Sequence, residues 1–132
     1  MANVYSRIML SFAVLAIFLT LPVMAQNYAQ SQNMSQSVTI NITASDLAFN
    51  TSTITVPAGA NVVVNFNNMD TGIDHNFAVY TDSSASTTIF KGEVITGPMA
   101  TTYTFTAPTT PGTYFFRCDI HPAQMTGRFI AK

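Results

Sequence analysis

Residues 111–125 read PGTYFFRCDIHPAQM, and this stretch decides how the rest of the chain is interpreted. It opens on a Pro-Gly turn signal and continues as a strand-like run in which Tyr114, Phe116 and Cys118 share one face. A short loop from Cys118 to Met125 follows, and it holds the only cysteine, one of the two histidines and a methionine. A thiol, an imidazole and a thioether this close together indicate a site for a soft transition metal.

The chain offers one further imidazole, on His75, which lies upstream in another strand-like segment. Two imidazoles and one thiolate with a weak axial thioether are the ligands of a blue copper site. The candidate ligands are therefore His75, Cys118, His121 and Met125, and the predicted cofactor is one type 1 copper ion. Zinc ranks below copper, because zinc sites are tetrahedral and use Cys and His without methionine.

Apolar and polar residues alternate with a period of two along most of the chain beyond residue 25, and no segment there has a helical period. Turn signals such as Pro57-Ala58-Gly59 separate the alternating runs. This pattern predicts an all-β sandwich or barrel of seven to eight short strands. The predicted strands lie near residues 38–43, 53–56, 61–67, 75–80, 87–95, 101–107, 112–118 and 126–132.

The N-terminal part has a different composition. Arg7 precedes an uncharged apolar run over residues 8–25, which ends in the small-x-small pattern Val23-Met24-Ala25. We interpret residues 1–25 as a signal peptide cleaved after Ala25; the alternative is an uncleaved membrane anchor, since 18 residues are at the lower limit for a span. Residues 26–37 are predicted to be a flexible polar leader, and residues 38–132 the folded domain.

Composition excludes some classes of partner. Only 8% of residues are charged, with five Lys and Arg against six Asp and Glu and no basic stripe, so a nucleic acid is not expected to bind. The predicted location is exported, periplasmic or extracellular, or membrane-anchored facing outside if the N-terminal segment is uncleaved. A single cysteine in an exported chain cannot form an internal disulfide, and a metal bond would account for it.

Three motifs together resemble the cupredoxins, the small blue copper proteins that include plastocyanin and azurin. They are the Cys-x-x-His-x-x-x-Met loop over residues 118–125, the Pro-Gly-Thr-Tyr-Phe-Phe-Arg-Cys run before it, and His75-Asn76-Phe77. The resemblance covers roughly residues 38–132 and implies a Greek-key β-sandwich with copper near one end. It also implies that His75 is the first ligand, that Asn76 helps to hold the cysteine loop, and that electrons leave at the edge of His121.

Two positions depart from familiar members of that family. Three residues separate His121 from Met125, a gap between those of the tighter and longer loops, so that axial bonding by Met125 is open to test. Asp119 follows the cysteine where many members have Ser or Thr, and its carboxylate either lowers the copper potential or faces water. Gly127, just beyond the loop, is expected to supply an unusual backbone angle.

The leading functional hypothesis is an exported carrier of single electrons, which cycles between Cu(II) and Cu(I). The alternative is a protein of the same fold that delivers or sequesters copper. An enzyme is not expected, because a catalytic copper would need further histidines and both are already used. The expected partners are redox proteins that dock near His121 and Pro122, and the carrier is expected to be a monomer.

Overall fold

The computed structural model describes residues 36–132. The predicted signal peptide and all of the predicted leader except its last two residues lie outside the described residues. Within them the chain is all β-structure, with the following strands: β1 (Ser37–Ser45), β2 (Ala48–Phe49), β3 (Thr53–Val56), β4 (Asn61–Asn68), β5 (Asp74–His75), β6 (Ala78–Tyr80), β7 (Thr88–Lys91), β8 (Ile95–Thr96), β9 (Met99–Thr106), β10 (Gly112–Arg117) and β11 (Thr126–Ala131).

Two larger sheets and one small sheet accommodate these strands. The first has the order β2-β1-β4-β9 and the second β3-β11-β10-β6-β7, while β5 and β8 pair separately. Most neighbours are antiparallel, but β1 pairs with β4, and β3 with β11, in parallel. Parallel neighbours cannot be joined by a tight hairpin, so the chain crosses between the sheets. The predicted all-β sandwich is confirmed.

The core lies between the two larger sheets, where the alternation read from the sequence places apolar side chains inward. In β4, Val62, Val64 and Phe66 are buried and alternate with more exposed residues. Aromatic rings join the sheets: the Phe105 and Phe129 centroids are 5.8 Å apart. Burying each large apolar side chain contributes about 1.5–3 kcal/mol, and the charge-poor sequence supplies enough of them for one core.

Strand boundaries differ from the predictions in two places. The predicted strand over residues 75–80 is divided, because His75 pairs with Ile95 in the small sheet whereas Ala78 to Tyr80 pair with β7 and β10. The predicted strand over residues 87–95 is divided in the same way into β7 and the start of β8. Eleven strands are therefore present among the described residues, eight of them three residues or longer. Asn76 lies in the break between β5 and β6, and its backbone N–H is directed at Cys118 Sγ.

Gly127 does not have the unusual backbone angle that was expected from the sequence. It lies inside β11, opposite Phe116 in β10, and only Gly59 and Gly72 among the glycines have positive φ. The need at this position is for space: a Cβ atom on Gly127 would lie 2.3 Å from the Phe116 ring and 2.7 Å from the carbonyl oxygen of Ser52. The glycine therefore lets the Phe116 ring lie directly over the neighbouring strand.

Among residues 36–132, no helix is long and apolar enough to cross a membrane.

Tyr103 leads to a prediction about alkaline stability. Its ring is 8% exposed and its hydroxyl donates a hydrogen bond to the Glu93 carbonyl oxygen at 2.6 Å. Burial, reinforced by the charge of Glu93, raises the pKa of Tyr103 to about 12. Because the folded pKa lies above the unfolded value of about 10, this group stabilises the fold below pH about 10, and the contribution is lost as pH rises toward 12.

Urea unfolding of the copper-free protein across this range should show the decline, and it should be smaller in Tyr103→Phe. Tyr114→Phe is the matched control, because the Tyr114 hydroxyl also bonds a backbone carbonyl, that of Thr110, but at an exposed position. An equal decline in wild type and Tyr103→Phe would contradict the prediction.

Candidate metal centre

Three of the four predicted ligands converge at one end of the sandwich. Cys118 Sγ lies 3.7 Å from His75 Nδ1 and 4.0 Å from His121 Nδ1, and the two Nδ1 atoms are 3.2 Å apart. Among the described residues, these three side chains form a group whose ligand atoms all lie within 4.8 Å of one another, close enough to hold a metal ion. His75 and Cys118 are fully buried, while His121 is partly exposed.

The size of this triangle fits a metal ion. A point in its plane equidistant from the three donor atoms lies about 2.1 Å from each, and metal bonds to imidazole and thiolate are about 2.0–2.3 Å long. A trigonal set of two imidazoles and one thiolate is the equatorial set of blue copper sites. The residues present therefore fit one copper ion.

Backbone hydrogen bonds hold the loop that carries two of these donors. Cys118 follows the last residue of β10, and its N–H donates to the Met125 carbonyl at 2.9 Å. The N–H groups of Gln124 and Met125 both donate to the His121 carbonyl, at 3.3 and 3.1 Å, which closes a tight turn. These bonds bring His121 back toward Cys118 at the end of the sheet.

Met125 occupies the end of the same turn. Its side chain is 1% exposed and belongs to the same apolar core cluster as Cys118. A buried thioether in the same core cluster as Cys118 is compatible with a weak axial contact, and also with a packing role. Axial ligation by Met125 therefore stays a prediction, to be separated from packing by substitution.

Behind His75 lies a carboxylate that sequence reasoning missed. His75 Nε2 is 2.8 Å from Asp70 Oδ2, which is a hydrogen-bond distance. The Asp70 side chain is only 10% exposed. With the proton on Nε2 as the donor, Nδ1 keeps a free lone pair toward the centre of the triangle. No local pattern marks Asp70, because the contact depends on the path of the loop between β4 and β5.

Asn76 behaves as the family resemblance implies. Its N–H points at Cys118 Sγ at 3.5 Å, and its side-chain oxygen accepts the Asp119 N–H at 2.7 Å. Its side-chain nitrogen donates to the Gly92 carbonyl and to an Asp119 carboxylate oxygen, each at 3.2 Å. One buried side chain thus joins the cysteine loop to the segment after β7. An N–H directed at sulfur also stabilises negative charge on the thiolate.

Asp119 does not face water, so the alternative in which its carboxylate is simply solvent-exposed is wrong. Its side chain is only 11% exposed. It accepts hydrogen bonds from the Tyr80 hydroxyl at 2.7 Å, from Arg117 Nε at 2.8 Å and from the Asn76 amide, and it forms an ion pair with Lys91 Nζ at 3.2 Å. Burial raises the pKa of Asp119, but the hydrogen bonds from Tyr80, Arg117 and Asn76 outweigh it and bring the pKa to about 2. The carboxylate is therefore ionised and neutralised by two cations beside the cysteine.

Six large apolar side chains are exposed among the residues that the structure describes. Five of them lie within two positions of a metal donor, of Asp70 or of a residue paired with those segments, and the sixth, Leu47, donates its N–H to Asp70. We call these six residues the apolar rim: Leu47, Met69, Ile73, Val94, Met99 and Ile120. Exposed apolar patches at one end of a protein mark binding surfaces.

Comparison with known proteins agrees with this geometry. The sequence model of the cupredoxin-like domain matches residues 12–131. Auracyanin A, a blue copper protein from the green thermophilic photosynthetic bacterium Chloroflexus aurantiacus, is 26% identical, with a TM-score of 0.65 over 73% of this chain and 99% of its own. The dithionite-reduced auracyanin of the photosynthetic bacterium Roseiflexus castenholzii is 29% identical, with a TM-score of 0.65 over 74% and 98%.

Rusticyanin, at 24% identity and a TM-score of 0.56 over 74% of this chain and 78% of its own, supports the fold alone. No curated protein sequence matches the chain. The family match extends over most of the chain, and the solved structures share its sandwich. The chain belongs to the cupredoxin-like domain family.

Proposed function

We propose that this chain is an exported carrier of single electrons with one type 1 copper site. The proposed ligands are His75 Nδ1, Cys118 Sγ and His121 Nδ1, with Met125 as the weak axial ligand. The observation that carries the proposal is the triangle of two imidazole nitrogens and one thiolate sulfur, whose size and chemistry suit copper. The description of auracyanin A as a blue copper protein supports it.

Bound copper would supply a Cu(II)/Cu(I) couple, which soft sulfur and imidazole ligands together sustain. The protein's part is to hold the ligands still. Cys118 is excluded from water, His75 is hydrogen-bonded to Asp70, and the Cys118–Met125 loop is closed on itself by backbone bonds. A ligand set that moves little between oxidation states keeps the reorganisation energy low, which favours rapid electron transfer.

His121 is the proposed point of electron exit. It is the one donor with partial exposure, and Pro122 and Ala123 beside it are exposed. The apolar rim around this end suits docking of a redox protein through an apolar patch. With a net charge of only −1, electrostatic steering of that partner should be weak, so that association depends little on salt.

The proposed location follows from the sequence. A cleaved signal over residues 1–25 would deliver the domain to the periplasm or the outside of the cell. We propose no catalytic activity, because the chain has two histidines and both are assigned to the electron-transfer site.

Addition of copper(II) to the purified domain tests the function. An intense thiolate-to-copper absorption band in the red part of the visible spectrum, one copper per chain and narrow copper hyperfine splitting in the EPR spectrum are expected. A colourless complex that binds copper would overturn the carrier proposal and favour delivery or sequestration. No binding would leave the three donors as structural residues only.

Met125→Leu separates axial ligation from packing. Leucine conserves volume, so the free energy of unfolding of the copper-free protein should change by less than about 1.5 kcal/mol. The blue band should persist, because the equatorial donors remain, while the reduction potential should rise, since loss of the thioether removes electron donation to Cu(II). Redox titration of wild type and variant measures this. An unchanged potential would indicate that Met125 only fills the core.

A further inference from the structure

Asp70 is the meeting point of three N–H donors. Its Oδ1 accepts the Asp46 N–H at 2.7 Å, and its Oδ2 accepts the Leu47 N–H at 3.1 Å. The same Oδ2 lies 2.8 Å from His75 Nε2. The carboxylate therefore links the turn between β1 and β2 to a proposed copper ligand, and its side chain is only 10% exposed.

The turn that holds this carboxylate has an unfavourable backbone. Asp46 and Leu47 form a two-residue connection, since Ser45 pairs with Ala48, and both have left-handed φ values of 53° and 59°. Such a turn favours Asn-Gly, and a leucine in the left-handed region costs roughly 1–2 kcal/mol. Successive N–H groups in this conformation point to one side and make a cradle for an anion. Backbone strain of this kind often accompanies a functional site.

The backbone of Asp70 is held as firmly as its side chain. The Asp70 N–H donates to Asn68 Oδ1 at 3.0 Å, and Asn68 is itself fully buried. The Asn68 side-chain nitrogen donates to the carbonyls of Ile73 and Ile95, each at 2.8 Å. Ile95 is the residue that pairs with His75. The carboxylate and the imidazole are thus fixed relative to each other from both sides.

We propose that Asp70 is a positioning residue of the metal centre, which keeps the His75 proton on Nε2 and Nδ1 free for the metal, and whose negative charge favours the oxidised ion. The inference rests on the proposed copper function but concerns a residue outside the ligand set. Carboxylates behind metal-bound histidines fix the tautomer and raise the basicity of the ligand. The hydrogen bond from His75 and the backbone bond from Leu47 lower the pKa of Asp70, so that it is anionic at neutral pH.

Only a carboxylate can accept all three donors. An asparagine at this position has one oxygen, so its NH₂ group must face either the Asp46 N–H or His75 Nε2. In the second arrangement the His75 proton moves to Nδ1, the atom that points into the site. Asp70→Asn should therefore weaken copper(II) binding by roughly 10–100-fold. It should also raise the reduction potential by about 59 mV, which corresponds to a tenfold change in the Cu(II)/Cu(I) affinity ratio for a one-electron couple.

Asp74→Asn is the matched control. Asp74 is exposed, adjacent to His75 in sequence, and bonded to the Thr96 hydroxyl. Its substitution also removes one negative charge close to His75 in sequence. It leaves the hydrogen bonds of Asp70 and the three metal-binding atoms unchanged. Solvent screening should make its effect on the potential much smaller. Equal shifts of the reduction potential in the two variants would overturn the proposal, because the loss of one negative charge would then account for the whole effect.

A measurement without copper separates this inference from the proposed function. Long-range ¹H–¹⁵N NMR of the copper-free wild type, in mildly alkaline solution where free imidazole is neutral, should show His75 as the Nε2–H tautomer. An Nδ1–H tautomer would overturn the inference even if the protein were blue. A wild type without a blue band would instead overturn the copper function and leave the tautomer result standing. This readout does not require the Asp70→Asn variant to fold.

Discussion

Replacement of Cys118 by serine is expected to abolish the blue band completely while the domain stays folded. The band requires a thiolate, and a hydroxyl is a hard, neutral ligand that neither supplies the transition nor favours Cu(I). Serine is close to cysteine in size, and its oxygen can accept the Asn76 N–H that points at Cys118 Sγ at 3.5 Å. Visible and EPR titration with copper(II) measures the spectrum.

Three further measurements make this test specific. Urea unfolding of the copper-free variant should still be cooperative, with a free energy about 1–3 kcal/mol below wild type, the cost of burying a hydroxyl in place of a thiol. Copper(I) competition should show a large loss of affinity, because sulfur is the soft donor. Met125→Leu serves as the control that keeps the colour. A Cys118→Ser protein that remained blue would exclude Cys118 as the ligand and remove the basis of the proposed function.

Gly127→Ala is expected to destabilise the fold by about 3 kcal/mol, the upper end of the range for overpacking a well-packed core. The new Cβ would lie 2.3 Å from the Phe116 ring and 2.7 Å from the Ser52 carbonyl oxygen. Phe116 is fully buried and contacts Phe77 and Phe49, with ring centroids 5.4 and 5.6 Å away, so it has little room to move. A loss of this size is a large fraction of the 5–15 kcal/mol typical of a domain.

Gly112→Ala is the matched control, since the same methyl group is added in the partner strand β10. There the nearest heavy atom to the new Cβ would be 3.7 Å away, in the Tyr114 ring, which is an ordinary contact. The reduced entropy of the unfolded chain should leave this variant as stable as wild type or stabilise it by up to about 1 kcal/mol. Urea midpoints of the copper-free proteins compare the two. Similar midpoints would mean that β11 shifts to accommodate the methyl group.

Much of the fold was predictable because its signal is local. Alternating apolar residues such as Val62, Val64 and Phe66 show which face of a strand enters the core, and turn signals separate one strand from the next. The pairing of strands is not local. Nothing in the run 75–80 shows that His75 pairs with β8 while Val79 pairs with β10, because that depends on which segments meet in the folded chain.

The candidate donors were also predictable, for a different reason. With one cysteine and two histidines in the chain, a soft metal site had few possible ligands, and the short loop from Cys118 to Met125 brings two of them together whatever the rest of the fold does. The structure adds that His75 joins them, with all three donor atoms within 4.8 Å of one another.

Apart from the role of Asn76, which the family resemblance implied, what surrounds those donors was decided by the tertiary structure. Asp70 reaches the turn at Asp46 across 24 positions, and Asn76 reaches Asp119 across 43. The sequence by itself determined the strand pattern and the chemistry of the candidate donors, since both depend on residue type and short spacing. The hydrogen-bond partners that orient His75 and hold the cysteine loop depend on which distant loops pack at the same end of the sandwich, and that is a property of the folded chain.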